Sequence, residues 1–189
     1  MDLDKFEVKP EYFDHPSWLH GVNHTCRVMS MVWAMGSDLG MVHERNLALC
    51  AAYIHDMART GDGICYQHGP EAAEKKFPLF KSFFIDQGID QDGLETIRTA
   101  VRYHSLPEEI DRDHPHYKVT ALLKDADALD RIRLGFFNLD KRFLRFPETH
   151  NYISQAKKLF RRTSLHSHYG FLPALEILES ITGKSYPRC

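Results

Sequence analysis

The sequence predicts an all-α fold, and three observations carry that expectation. Apolar residues recur three and four positions apart through nearly the whole chain, so strands are absent or minor. No internal repeat and no low-complexity linker divides it. Its 189 residues, 43% hydrophobic and 26% charged, are the mix of a chain that buries one sizeable core.

The elements follow in order. A first long helix is expected from near Pro16–Ser17, with Ser17 as its cap, to about Gly36. A second runs from about Val42 to Ala58 and stops before Gly61 and Gly63. A third covers Pro70 to Phe84, interrupted or kinked at Pro78, where a backbone donor is missing. A fourth spans Asp92 to His104, ended by Pro107, and a fifth Tyr117 to Leu134. Two more, near Asn151–His166 and Leu172–Ile181, close the chain. Six or seven helices with mostly short connections make a single helical domain over residues 1–189, its core at about 17–135 and its C-terminal helices at 150–182 packed on that core. Leu106 to His116, acidic and holding Pro107 and Pro115, is the expected mobile lid.

Composition excludes several classes. A net charge of −2 and a pI near 6.6 supply no basic field for nucleic acid. The run Lys157, Lys158, Arg161, Arg162 reads as a solvated helix face. No stretch of about 18 apolar residues is present to span a bilayer. Met1 to Pro10 is too charged for a signal or transit peptide. Cys26, Cys50, Cys65 and Cys189 form no CxxC pair and read as reduced thiols, so the cytoplasm is the expected compartment. Nothing fixes an oligomeric state, and a homo-oligomer is compatible with the sequence.

The anomaly is histidine: twelve, dispersed rather than collected in a tag. Several sit on apolar stripes. His24 shares a helix face with Val28, Val32 and Met35, and His55 continues Ala48, Ala51 and Ala52. His104 follows Ile97, Ala100 and Val101, and Asp127 follows Val119, Leu123 and Ala126. Asp56 comes directly after His55, at a helix end where it can turn inward. A lone histidine on an apolar face is more often a hydrogen-bonded core residue than a ligand. Asp127 could equally lie with Asp125 and Asp130 on a solvated face. Jointly the set is more specific, because two aspartates and several imidazoles buried at one depth call for a cation. Imidazole with carboxylate suits zinc, manganese, iron, cobalt or nickel better than calcium.

His24-Thr-Cys-Arg27-Val28, then Ala51-Ala52-Tyr-Ile-His55-Asp56-Met-Ala-Arg59, then Ala126-Asp127-Ala-Leu129-Asp130, resemble the H…HD…D signature of the HD-domain phosphohydrolase superfamily. The resemblance runs from about Ser17 to Gly135. It implies an all-helical fold, one or two divalent metals, and hydrolysis of phosphate esters or anhydrides, often of nucleotides. It also implies that His24, His55, Asp56 and Asp127 are the ligands of a first metal. Asp125 is the rival for the last place, two residues away and about 200° round the helix. Gln67-His68-Gly69 and Tyr103-His104-Ser105 look like the subgroup in which two histidines complete a second metal site bridged by the aspartate of the HD pair. The alternative is that His68 and His104 orient ligands or bind substrate.

Other positions complete the expectation. His20, one turn before His24, is expected to touch substrate or support a ligand. Many superfamily members carry Lys or Glu three residues after the HD aspartate. Arg59 stands there and suits a phosphate but cannot act as a general acid. Proton transfer then falls to Asp62, although an aspartate between glycines is also an ordinary turn residue. Lys124 and Arg131 are weaker candidates for balancing phosphate charge. Thr60-Gly61 does not reproduce the acidic pair of the guanosine-tetraphosphate hydrolases. His166 and His168 read as surface histidines. The expected protein is a metal-dependent phosphohydrolase acting on a nucleotide or related small phosphorylated metabolite. Its rivals are a diiron oxygenase with the same ligands and a non-catalytic metal- or nucleotide-binding domain.

Overall fold

The computed structural model describes residues 1–135, 138–164 and 169–188. Those residues are helical, with no strand among them. The main elements are α1 (Val22–Asp38), α2 (Val42–Ile54), α3 (His68–Glu71), α4 (Phe77–Asp86), α5 (Gln91–Tyr103), α6 (Tyr117–Asp130), α7 (Ile153–Thr163) and α8 (Phe171–Thr182). α1 is the axis of the molecule. Every residue from His24 to Gly36 is buried, as a helix surrounded on all sides requires, and α2, α6 and α8 pack around it. One hydrophobic cluster draws on residues from Leu3 to Tyr186. α7 turns Ala156, Leu159 and Thr163 inward and leaves Lys158, Arg161 and Arg162 in solvent.

The boundaries differ from the sequence reading in informative ways. α1 begins at Val22, not Ser17. The Ser17 hydroxyl accepts from the backbone N–H of Leu19 (3.0 Å) and His20 (2.8 Å), so it caps a separate turn that carries His20. Gly21, in extended conformation, separates that turn from α1. α2 stops at Ile54, and His55 and Asp56 occupy the tight turn after it. The expected disruption at Pro78 lies upstream. Pro78 sits in the first turn of α4, and a π-helical stretch (Ala72–Lys76) joins α3 to α4. A widened turn there accommodates the ring and the missing donor. The helix expected to reach Leu134 tightens after Asp130 into a 3-10 turn (Arg131–Leu134). His166 and His168, with the expected end of the helix before them, lie outside the described residues, as does Cys189.

The segment expected to be a lid is tied down at its start. Lys124 donates to the carbonyls of Leu106 (3.0 Å) and Glu108 (3.1 Å), and its ammonium lies 3.0 Å from Glu109. Arg145 donates to Glu109 from the other side (3.0 Å). A buried ammonium with three acceptors fixes the start of this loop, which its prolines and acids did not disclose.

The N-terminal segment closes one flank. Lys76 donates to Tyr12 O (2.9 Å) and Asp14 Oδ1 (2.5 Å), and Asp14 N donates to Met57 O (2.9 Å). Phe6, Tyr12, Tyr53, Phe80 and Phe83 pack edge to face beneath it. Cys26, Cys50 and Cys65 are free thiols, and burial pushes Cys26 up to about 12. No helix among the described residues is long and apolar enough to cross a membrane.

Gly69 sets how closely α3 approaches α5. A Cβ there would lie 2.6 Å from Ser105 Oγ, 2.8 Å from Val101 O and 2.9 Å from Arg102 O. Two of those atoms are backbone and cannot swing away. Gly69→Ala should therefore destabilise the protein by about 1–3 kcal/mol, as overpacking does, seen as a lower urea midpoint at unchanged slope. An unshifted midpoint would mean that the α3–α5 contact yields freely.

Candidate metal centre

Four helices and one turn bring six donors to a single point. His24 comes from the first turn of α1, His55 and Asp56 from the turn closing α2, His68 from the start of α3, His104 from the residue capping α5, and Asp127 from the last turn of α6. His24 Nε2 lies 3.2 Å from His55 Nε2, 3.3 Å from Asp56 Oδ2 and 3.4 Å from Asp127 Oδ1; His55 Nε2 lies 3.8 Å from Asp56 Oδ2. The other oxygen of Asp56 faces a second group. Its Oδ1 is 3.0 Å from His68 Nε2 and 3.6 Å from His104 Nε2, and those two nitrogens are 2.9 Å apart. Donors held about 2.0–2.1 Å from a tetrahedral metal are about 3.4 Å from one another, so both groups have the spacing that a cation needs.

The far side of each ring decides its tautomer. Nδ1 of His24 is 2.8 Å from Asp130 Oδ2, that of His55 2.7 Å from Ala52 O, that of His68 2.6 Å from Cys65 O, and that of His104 2.6 Å from Val101 O. Each Nδ1 thus carries the proton and donates it outward, leaving an Nε2 lone pair inward. Lone pair faces lone pair in both histidine pairs. Only a proton or a cation between them makes that arrangement favourable. Burial opposes the proton, pushing His55 down to about 3 and lowering His104. A divalent cation within each group would satisfy the lone pairs that face one another there.

The carboxylates are held ionised. Burial works against the charge on Asp56, but His55, His104, His20 and His24 around it hold its carboxyl well below the usual range. Burial likewise opposes Asp127, and His24 and Arg133 outweigh it. Asp125 has a different place. It is fully buried and accepts from the backbone N–H of Arg145 (2.9 Å) and Phe146 (3.0 Å) and from the Thr149 hydroxyl (2.8 Å), which fastens the 145–149 segment to α6.

The remaining candidates divide between an open cavity of about 270 Å³ and the body of the protein. Asp56, His68, His104 and Asp127 form the cavity floor, with His20, Arg59, Asp62 and Arg131 on its walls. His20 Nδ1 is 3.1 Å from Asp56 Oδ2. Arg59 lies against the His68 ring, its Nη1 3.1 and 3.3 Å from the two ring nitrogens, while Nη2 donates to Gly63 O (2.7 Å). Asp62 is at the mouth, accepting from the Ser17 hydroxyl, with His15 Nε2 3.8 Å away. Lys124 does not line the cavity, and neither does any residue of the 106–116 segment. Its ammonium is spent on the carbonyls described above.

Sequence reasoning passed over Asp130, Arg27 and Arg133. Asp130 receives His24 Nδ1 and is gripped by Arg27 through Nε (2.6 Å) and Nη2 (2.9 Å). Arg27 is one turn after His24, and Asp130 one turn after Asp127. That (i, i+3) pairing on two packed helices was the signal available. Arg133 lines the cavity from the 3-10 turn after α6 and carried no periodic signal.

Comparison with known proteins gives one finding. The HD domain family model matches residues 21–132, which contain all six donors. No curated protein and no solved structure matches the chain.

The buried imidazoles set the acid stability of the metal-free protein. The folded-state pKa of His55, about 3, lies below the ordinary value of 6.5, and that of His104 is lowered too. Between those values the unfolded chain binds protons that the folded chain refuses. Stability therefore rises with pH and is lost as pH falls from about 6.5 towards 3, by up to about 1.4 kcal/mol per unit for each such histidine. Denaturant unfolding of chelator-treated protein at pH 7.5, 6.5 and 5.5 measures this. A flat profile would mean that the folded chain takes up the protons and that the lone-pair assignment fails.

Proposed function

Because the chain belongs to the HD domain family, we propose that it is a divalent-metal-dependent phosphohydrolase, with His24, His55, Asp56 and Asp127 holding a first metal and His68 and His104 sharing Asp56 with a second. The observation that carries this reading is the convergence of four inward Nε2 lone pairs on the buried carboxylate of Asp56 and the half-buried one of Asp127, at a cavity lined by arginines. The substrate in this reading is a phosphate ester or anhydride, a nucleotide or a related small phosphorylated metabolite.

The bound metal would supply Lewis acidity toward a phosphoryl oxygen and a lowered pKa for a water at the site. The chain's own groups do the rest. Asp56 presents one oxygen to each histidine pair and so fixes their separation. Asp130, itself held by Arg27, fixes the His24 ring so that Nε2 points inward. Arg59 offers a planar cation to a phosphoryl oxygen pair, which an ammonium could not match in geometry. Asp62 at the mouth is assigned to proton transfer, with His15 Nε2 3.8 Å from its carboxylate. His20 and Arg131 face the same space and contact the substrate.

The test is anaerobic. Protein loaded with Mn²⁺ or Co²⁺ should release phosphate, pyrophosphate or a nucleoside monophosphate from a nucleotide panel without oxygen. Turnover that requires iron and consumes O₂, with no phosphoester cleaved, would replace this reading by the oxygenase one. The two aspartates of α6 should separate cleanly. Asp127→Ala should remove most metal and activity while folding normally. Asp125→Ala leaves three buried donors unsatisfied, so it should lower stability by about 1–3 kcal/mol yet keep metal per folded chain. The reverse ranking, read by metal analysis and urea midpoints, would exchange their roles.

A further inference from the structure

Arg133 has more donors than the fold uses. Its Nε donates to Leu19 O (2.7 Å), and Nη2 lies 2.9 Å from His20 Nδ1. Nη1 is buried without a hydrogen-bond acceptor among the described residues, 3.9 Å from Asp127 Oδ1 and 3.7 Å from Asp130 Oδ2. Asp130 has no need of it, being held at two points by Arg27. Arg59 is in the same state across the cavity, where its Nε is buried without an acceptor. Both guanidinia lie beside the aspartates of the candidate metal centre: Arg59 Nη1 is 3.9 Å from Asp56 Oδ1, and Arg133 Nη1 is 3.9 Å from Asp127 Oδ1. Their side chains are 8% and 4% exposed, so solvent does little to satisfy the leftover N–H groups.

Charge points the same way. Asp56, Asp62 and Asp127 line the cavity together with Arg59, Arg131 and Arg133, and these six cancel. An imidazole that gives its Nε2 lone pair to a metal adds no charge of its own, so each divalent ion adds two uncompensated positive charges. A phosphomonoester brings about two negative charges, and a diphosphate ester about three. With two ions bound, a ligand with a single phosphoryl group leaves the cavity strongly positive.

We propose, resting on the phosphohydrolase reading, that Arg133 and Arg59 are the two sides of a clamp for adjacent phosphoryl groups, and that the substrate is a phosphoric anhydride (a diphosphate or triphosphate ester) rather than a monoester. In the reaction, the oxygen of water forms a bond to one phosphorus and the P–O bond to the bridging oxygen breaks. The bridging oxygen leaves with the bonding pair as the second phosphate, and the surplus proton passes to solvent. Arg133 determines specificity by holding the phosphoryl group that is not attacked.

The test compares two non-hydrolysable probes, methylenediphosphonate and methylphosphonate, titrated calorimetrically into the full chain loaded with excess Mn²⁺. Wild-type protein should bind the diphosphonate at least about tenfold more tightly. Arg133→Gln and Arg59→Gln should each shrink that preference below about threefold, and Arg133→Lys should retain an intermediate part of it. If Arg133→Gln does not fold, Arg133→Lys decides. Equal affinities in wild type, or a preference untouched by the Arg133 substitution that folds, would overturn the clamp. Parallel assays with a nucleoside diphosphate and p-nitrophenyl phosphate keep the two claims apart. A wild-type protein that cleaves the monoester at least as well as the anhydride sinks the clamp and leaves the hydrolase standing. One that cleaves neither sinks the hydrolase, while the phosphonate comparison still decides the clamp.

Discussion

The rest of the molecule depends on one constraint: four imidazole nitrogens and two carboxylates must meet at one point, with five of the six side chains buried and Asp127 part-exposed to the cavity. The six donors come from five separate helix ends and turns, His55 and Asp56 sharing one, so no single element can build the centre. α1 must pack on α2 and α6, and α3 on α5, before the donors converge. The outward hydrogen bonds of the four rings are as much a part of this as the inward lone pairs. Three of them use backbone carbonyls within three residues of the histidine, at Ala52, Cys65 and Val101. Those rings are oriented by their own helix ends, and the geometry comes with the local fold.

His24, in the first turn of α1, is the exception. Inside α1 its neighbouring carbonyls are committed to the helix, so its Nδ1 acceptor has to come from elsewhere. Asp130 reaches over from α6, and a buried carboxylate is tolerable only with a partner, which Arg27 supplies at two points. The interior thus carries an ion pair next to the metal centre, with the cation on the helix that bears the ligand and the anion on the helix that bears Asp127. A rotation of α1 relative to α6 would break the pair and misdirect the ring together.

How much of this the sequence discloses follows from how each residue is held. His24, His55, His104 and Asp127 were legible because their helices place them on apolar stripes, and a polar group on such a stripe is an anomaly that periodicity exposes. Asp130 shares that helix but reads as a surface acid, because its partners are more than a hundred residues away in the chain. Arg133 lies just past the end of α6, where the periodic argument stops. Asp125 and Lys124 mislead in the opposite sense. Both are buried charged residues close to the motif, yet both serve neighbouring loops, and only the positions of those loops reveal it. Ser17 was placed correctly as a cap, but of the turn that carries His20 and not of α1. Leu106–His116 has the composition of a loose loop, yet its start, Leu106–Glu109, is fixed by contacts from α6 and Arg145 that no local pattern encodes.

The loop from Gly61 to Gln67 joins two parts of the site. Its backbone holds the machinery: Gly63 O takes a bond from Arg59, Cys65 O takes the Nδ1 proton of His68, and Tyr66 O takes the Ser105 hydroxyl. Its side chains, Ile64 and Tyr66, stand largely exposed at the cavity wall, where an apolar part of a ligand can rest. Occupancy of the wall and occupancy of the His68 position are therefore linked functions of one short segment. Under the proposed reading, whatever a ligand gained by settling this loop, an ion held at His68 would gain as well, and metal retention and substrate retention would be two readings of a single coupling free energy.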